Sequence, residues 1–318
     1  MLDGEPTNPL AAACDFCVCV PARDEEERLP VLLAALARQT LPGVIRVVIA
    51  LNNTTDASFA VVAEARAAFK GRLHVHVEDV TFPPGLAHAG SARRLAMDTG
   101  LSLLAGSAQG ILVSTDADTC PPACWLENIA AAFGRGADLV GGRIEIDRAE
   151  PLPPEVALLR HAWDRYWNAV RAIEDEVDPL PWNPPPRHGD HTGASLAIRA
   201  QLYRECGGVP LLPSGEDRAL VAAGIAHGGR LAHPGNVYTF VSPRRDGRAE
   251  CGMARAMEEL FELAATCAAP AAPSYEQWRE RALWRRGMRS LPDGHARIPR
   301  EEMLLAPMRR DMKLEIGR

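Results

Sequence analysis

Gly110-Ile111-Leu112-Val113-Ser114-Thr115-Asp116-Ala117-Asp118 is the stretch that decides how the chain folds. Its first half is an unbroken, mostly apolar run of strand length, the pattern of a strand buried on both faces of a parallel sheet. Its second half sets two carboxylates one residue apart where that strand ends. A strand end holds the backbone rigid, and paired carboxylate oxygens suit Mg²⁺ or Mn²⁺, which keep open positions for phosphate oxygens. An Asp-x-Asp tripeptide is commonly a solvated turn. Its position behind a buried strand favours a metal role for Asp116 and Asp118.

Upstream, the same alternation recurs. Phe16-Cys17-Val18-Cys19-Val20, stopped by Pro21, reads as a buried strand. Leu29, Leu32, Leu33 and Leu36 recur at helical spacing up to Gln39, and Pro42-Gly43 ends that helix. Residues 44–50 form a second strand, a helix spans Ser58 to Phe69, and Leu73 to Val77 alternates as a third strand. An Ala/Leu-rich helix over 88–105 leads into the quoted stretch, with a helix over 123–133 and a further strand from 137 beyond it. Repeated β-α-β units imply an α/β fold with a mixed, mostly parallel sheet flanked by helices. Ligands of such sheets bind outside the carboxyl ends of the strands. No Gly-x-Gly-x-x-Gly follows the first strand, which removes the main support for a nicotinamide-binding reading.

Composition narrows the chemistry. In 318 residues the apolar fraction is 47% and the charged fraction 24%, so a globular core is well supplied and a disordered or rod-like chain is excluded. The net charge of −6 argues against nucleic acid as a partner. Lys70 and Lys313 are the only lysines, and no phosphate-binding Gly-Lys-Ser/Thr loop occurs. The eight cysteines lack finger spacing and read as reduced packing residues of a cytoplasmic protein. No run reaches the ~18 apolar residues of a membrane span. Residues 1–14 read as a leader, 15–250 as the main domain and 251–318 as a helical C-terminal extension.

Several polar clusters fall at strand ends or helix starts. Pro21-Ala22-Arg23-Asp24-Glu25-Glu26 offers a fixed φ, a guanidinium and carboxylates, a set suited to a base or ribose edge and equally to a charged helix cap. Asn52-Asn53-Thr54-Thr55-Asp56 ends the second strand beside it. Gly90-Ser91-Ala92-Arg93-Arg94 combines a helix start with arginine, an anion site suited to a diphosphate. Ser214-Gly215-Glu216-Asp217-Arg218 aims carboxylates from a helix start, or simply caps it. His233, at a strand end, is a candidate to complete a metal's shell. Arg244 lies in a basic loop able to fold over a phosphate. The Pro-rich 178–186 segment reads as a lid or binding loop, or as a surface crossover.

Taken in order, Pro-Ala-Arg-Asp-Glu-Glu, Asn-Asn-Thr-Thr-Asp, Gly-Ser-Ala-Arg-Arg, Asp-Ala-Asp, Thr192-Gly193-Ala194-Ser195, Gly215-Glu216-Asp217 and Ser242-Pro243-Arg244 resemble family 2 glycosyltransferases of the GT-A fold, over roughly residues 15–250. The resemblance implies a nucleotide-sugar donor (UDP-, GDP- or dTDP-linked), a hexosyl transfer to a hydroxyl of a small-molecule, lipid or glycan acceptor, and Mg²⁺ or Mn²⁺ as cofactor. It implies Pro21, Ala22, Arg23, Glu25 and Asn52 around the nucleoside, Arg93, Asp116 and Arg244 at the diphosphate, and Asp116, Asp118 and His233 at the metal. It implies Asp217 of the Glu216-Asp217 pair as general base of an inverting transfer. Related enzymes bearing a metal-binding His include retaining ones, so both outcomes stay open. Asn52 and Arg94 stand where family members commonly carry Asp and Asn. The processive Gln-x-x-Arg-Trp signature is missing, Gln277-Trp278-Arg279 lacking its spacing, which implies a non-processive enzyme. The alternatives are a nucleotide-sugar-binding protein, a nucleotidyltransferase or a glycosidase with paired carboxylates.

Overall fold

The computed structural model describes residues 15–147, 151–242, 253–266 and 268–316. Strands β1 (Asp15–Ala22), β2 (Ile45–Asn52), β3 (Leu73–Val80) and β4 (Gly110–Ser114) alternate with helices α1 (Leu29–Ala37), α2 (Ser58–Ala68) and α3 (Ala89–Leu103). Then follow β5 (Thr119–Cys120), α4 (Trp125–Gly134), β6 (Leu139–Gly141), β7 (Arg143–Ile146) and the long α5 (Pro154–Val177). After it come β8 (Leu196–Arg199), α6 (Ala200–Glu205), α7 (Glu216–Ala226), β9 (Leu231–Ala232) and β10 (Tyr238–Val241). The C-terminal part holds α8 (Met253–Thr266), β11 (Ala271–Pro273), α9 (Tyr275–Arg289), α10 (Gly294–Glu302) and β12 (Asp311–Lys313).

The main sheet has the order β3-β2-β1-β4-β8-β6-β9. Its first four strands are parallel, and β8 runs antiparallel to both β4 and β6. The chain winds outward from β1 through β2 to β3, then returns to place β4 on the other flank of β1. That reversal is the topological switch point at which open α/β sheets form a crevice. It leaves the C-terminal ends of β1 and β4 side by side. A second small sheet, β5-β10-β7, stands beside the end of β4.

Period-two alternation divides β1 between two cores. Phe16, Val18 and Val20 face one cluster with Leu29, Leu32, Leu33 and Leu36 of α1 and with Trp125 of α4. Cys17 and Cys19 face the other, under Ala96 and Met97 of α3. Each fully buried leucine contributes about 1.5–3 kcal/mol. Gly100 of α3 permits the close approach, since a Cβ there would lie 2.8 Å from the Cys19 sulfur. Cys17 and Cys19 are free thiols, consistent with their reading as packing residues.

Some boundaries differ from the sequence reading. Pro21 does not stop β1 but lies within it, opposite Ala50 of β2. On the other flank β4 pairs only as far as Cys19, so beyond that point a residue without an N–H costs no ladder bond there. The C-terminal part is not wholly helical, because β11 and β12 pair antiparallel across it. It docks on α5 through an aromatic cluster. Tyr166 stacks on Tyr275 at 5.6 Å, donates its hydroxyl to the Pro273 carbonyl at 2.7 Å and accepts from Trp278 Nε1 at 2.6 Å.

Candidate active site

The two turns that close the switch-point crevice are laced together. After β1, Asp24 takes a positive φ of 48°, and its Oδ1 accepts from the Thr55 amide at 2.7 Å. Glu26 accepts from the Ala57 amide at 2.7 Å, and Asp56 returns the contact by accepting from the Glu26 amide at 3.0 Å. The Glu25 amide donates to Ser58 Oγ at 2.9 Å. These acidic residues therefore build the turn, and they leave Pro21 and Ala22 buried with Arg23 exposed at its edge. Asn52 is 3% exposed; its Nδ2 donates to the His88 carbonyl at 3.2 Å, while its Oδ1 is buried without a partner.

The Asp-Ala-Asp turn is equally fixed. Thr119 Oγ1 donates to the Asp116 carbonyl at 2.9 Å and meets Thr115 Oγ1 at 2.7 Å. Asp116 and Asp118 remain partly exposed while Ala117 between them is buried.

Arg93 joins this turn to α7. Its guanidinium is only 5% exposed and donates to four groups: Glu216 Oε1 at 2.9 Å, Asp116 Oδ1 at 2.9 Å, Ser114 Oγ at 2.5 Å and the Gly193 carbonyl at 3.0 Å. Burial pulls its pKa down, but the charges of Asp116 and Glu216 outweigh that and raise it above the ordinary arginine value. The sequence reading placed Arg93 at a diphosphate. In the structure four of its five N–H donors are engaged with protein groups, which ties Asp116 to α7. Glu216 is 6% exposed and bound to Arg93.

Asp217, the next residue, is partly exposed. Its Oδ2 accepts from the Gly193 amide at 2.8 Å and its Oδ1 from the Arg218 amide at 2.7 Å. Gly215, in the left-handed region at φ 77°, makes the turn that starts α7 beneath the cleft. Gly193 thus serves both partners, its carbonyl holding Arg93 and its amide holding Asp217. An added Cβ there would lie 2.3 Å from the Arg93 guanidinium carbon.

His233 is not gathered with the two aspartates. Among the described residues no group of three or more His, Cys, Asp or Glu side chains is arranged to hold a metal. His233 lies instead in a trio of imidazoles, its Nε2 3.2 Å from His191 Nδ1 and its ring 5.6 Å from that of His188. Burial lowers the pKa of all three, His188 to about 4, so the trio is neutral near pH 7. His233 makes its polar contacts to His191 and Asn183 rather than to Asp116 or Asp118. Arg244 lies outside the described residues. The Pro-rich 178–186 segment contributes Asn183, whose buried Oδ1 accepts from the His233 amide at 2.7 Å. Ser114, His188, His191 and Asn183 were not singled out from sequence; only the position of Thr192-Gly193-Ala194-Ser195 in the collinear motif order pointed near them.

An α/β sheet with an Asp-x-Asp turn at its switch point and a carboxylate at a neighbouring helix start has the GT-A arrangement. The Glycosyl transferase family 2 model matches residues 17–193, more than half of the chain, and the chain belongs to that family. Among solved structures, S. aureus TarS 1-349 in complex with UDP-GlcNAc is 18% identical with a TM-score of 0.51, covering 86% of this chain and 72% of that one. The mannosyltransferase PcManGT from Pyrobaculum calidifontis, in complex with GDP-Man and Mn2+, is 16% identical with a TM-score of 0.51, covering 91% and 79%. Both likenesses are of fold. No curated protein matches the chain. No helix among the described residues is long and apolar enough to cross a membrane.

Proposed function

We propose that the protein transfers a sugar from a nucleotide-sugar donor to an acceptor hydroxyl by single, inverting displacement, without processive extension. The observation that carries this is the Asp116–Arg93–Glu216 bridge. It binds the Asp-Ala-Asp turn and the start of α7 into one buried unit, so Asp217 is fixed beside the strand ends where a donor lies. Pro21, Ala22, Arg23, Glu25 and Asn52 flank the nucleoside, and Asn52 offers a buried oxygen with no protein partner to a donor N–H.

Mg²⁺ or Mn²⁺ fits Asp116 and Asp118. Both are hard oxygen donors on a fixed turn, and Asp116, held by Arg93 through Oδ1, is 38% exposed at its side chain. Asp116 and Asp118 would hold the cation and leave positions open to a donor's phosphate oxygens. A cation held there supplies Lewis-acid neutralisation of the charge on the leaving diphosphate.

Asp217 accepts the proton of the acceptor hydroxyl as that oxygen bonds to the anomeric carbon. The bond from that carbon to the diphosphate oxygen breaks, and the nucleoside diphosphate leaves with the electron pair. The Gly193 and Arg218 amides orient the carboxylate for this role.

The test pairs two variants with calorimetry against UDP, GDP and dTDP and their sugars. Asp118→Ala loses the gain in donor affinity that Mn²⁺ confers on the wild type. Asp217→Asn keeps donor affinity and loses ~10²–10⁴-fold in transfer rate. Full turnover by Asp217→Asn refutes the base assignment.

A further inference from the structure

Behind Asp217 lies a cavity of about 510 Å³ that the family motifs do not describe. Its walls come from α5, the 178–187 segment, the outer face of α7, α9 and α10, so the C-terminal part closes it. Its volume is that of a small-molecule site, for which ~300–1,000 Å³ is usual.

Its lining is largely apolar, but five arginines, Arg171, Arg187, Arg218, Arg285 and Arg289, face three carboxylates, Glu174, Asp178 and Glu302, across it. Glu174 alone receives three guanidiniums, Arg171 and Arg187 at 3.0 Å and Arg285 at 2.7 Å. Asp175 holds Arg187 from outside the cavity at 2.6 Å, and the guanidiniums still outnumber the carboxylates. Burial, reinforced by the charges of Arg187 and Arg285, lowers the pKa of Arg171 against the pull of Glu174, and Arg289 is lowered by burial likewise. The four less exposed guanidiniums are thus matched by four carboxylates, and the surplus cation is Arg218, exposed at the rim. Nε of Arg171 and Nε of Arg289 are buried without a partner, and both residues line this cavity. Buried donors without acceptors are costly and call for one.

The cavity also adjoins the start of α7. Successive helix residues project about 100° apart. At the start of α7, Glu216 turns to Arg93, Asp217 to the Gly193 amide and Arg218 to the cavity. His191, two residues before Gly193, lines the cavity and feels the charge of Asp217.

We infer that this cavity is the acceptor subsite and that the acceptor carries an anionic group, a carboxylate or a phosphate, held by its arginines while a hydroxyl of the same molecule lies at Asp217. The inference rests on the transfer reading above and names its acceptor class.

The full-length chain is titrated calorimetrically with glucose, gluconate and glucose 6-phosphate, a matched set that separates neutral, carboxylate and phosphate forms. At least one charged member binds tenfold or more tightly than glucose. Arg218→Gln, exposed at the rim and outside the buried ion pairs, abolishes that preference, as does the deeper Arg289→Gln where it folds; Asp118→Ala keeps it. The inference is overturned if charged and neutral probes bind alike or none binds. It is equally overturned if Asp118→Ala loses the anion while Arg218→Gln retains it, since the anion then sits on the donor side. Mn²⁺-dependent binding of UDP, GDP or dTDP, measured on the same samples, reports separately on the transfer reading. It stands when only the anion arm fails.

Discussion

Replacing Arg93 with leucine is the most discriminating perturbation of the site. The substitution deletes one guanidinium and leaves four acceptors behind, of which the Glu216 carboxylate, 7% exposed at its side chain, is the costliest. Asp116 is 38% exposed and regains water, so its loss is discounted. Ser114 Oγ still donates to the Gly193 carbonyl at 3.0 Å, which limits the cost of those two groups. Stranding a buried carboxylate costs about 3–5 kcal/mol. At ~2–4 °C of unfolding midpoint per kcal/mol, Arg93→Leu lowers it by roughly 6–20 °C. The double variant Arg93→Leu/Glu216→Leu removes the stranded charge and regains much of that loss, because a buried pair replaced by apolar groups is often neutral. Activity does not return with it, since Asp116 and the start of α7 have lost their common tether. The assay is calorimetric unfolding alongside sugar transfer for the two single variants and the double. An unshifted midpoint for Arg93→Leu, or a double variant that transfers sugar normally, refutes the claim that this bridge sets the catalytic geometry.

Gly193→Ala drives a Cβ to 2.3 Å from the Arg93 guanidinium carbon, so it should lose activity and ~1–3 kcal/mol of stability, checked by denaturant midpoint and turnover together. Acid should destabilise the fold well above the carboxylate range. His188 falls from 6.5 to about 4 on burial, so between those values the unfolded chain binds the proton first. Stability is therefore complete above about pH 6.5 and drops by about 3 kcal/mol as the pH falls to about 4; His188→Asn should flatten that slope in a pH series of unfolding curves. Tyr166→Phe removes the hydroxyl that accepts from Trp278 and donates to Pro273, and should cost about 1–3 kcal/mol, read as faster proteolysis of the C-terminal part.

The parallel half of the fold was legible because its signal is local. Val47, Val48 and Ile49 in β2, and Ile111, Leu112 and Val113 in β4, are buried on both faces, and such strands show as unbroken apolar runs. Leu196–Arg199 escaped notice as β8, being four residues long and stabilised by β4 and β6 on either side rather than by its own pattern. Among the proposed site residues, Asp116, Asp118 and Asp217 stood out by position at a strand end or helix start. Their roles relative to Arg93 did not, because the contacts span 23 residues to Asp116 and 123 to Glu216. The sequence treated Glu216 and Asp217 as a pair; helical geometry separates them, sending one into the interior and the other to the cleft. The arginine-lined cavity was invisible for the same reason, since its residues lie on elements more than a hundred positions apart.

Three consecutive side chains at the start of α7 therefore do three different jobs, and the reason is geometric. On a helix, three neighbouring residues can address an interior, a cleft and an adjoining cavity, because each step turns the side chain by about 100°. Glu216 spends its charge on Arg93, which fixes the rotation of the helix about its own axis. With that rotation set, Asp217 has to meet the Gly193 amide and Arg218 has to meet the cavity. A shift of one residue in this register, by deletion of Gly215, would turn Asp217 into the interior beside Arg93 and leave no carboxylate at the cleft. The buried ion pair in this way decides which of two adjacent carboxylates faces the cleft, and so which one the proposed mechanism can use as its base.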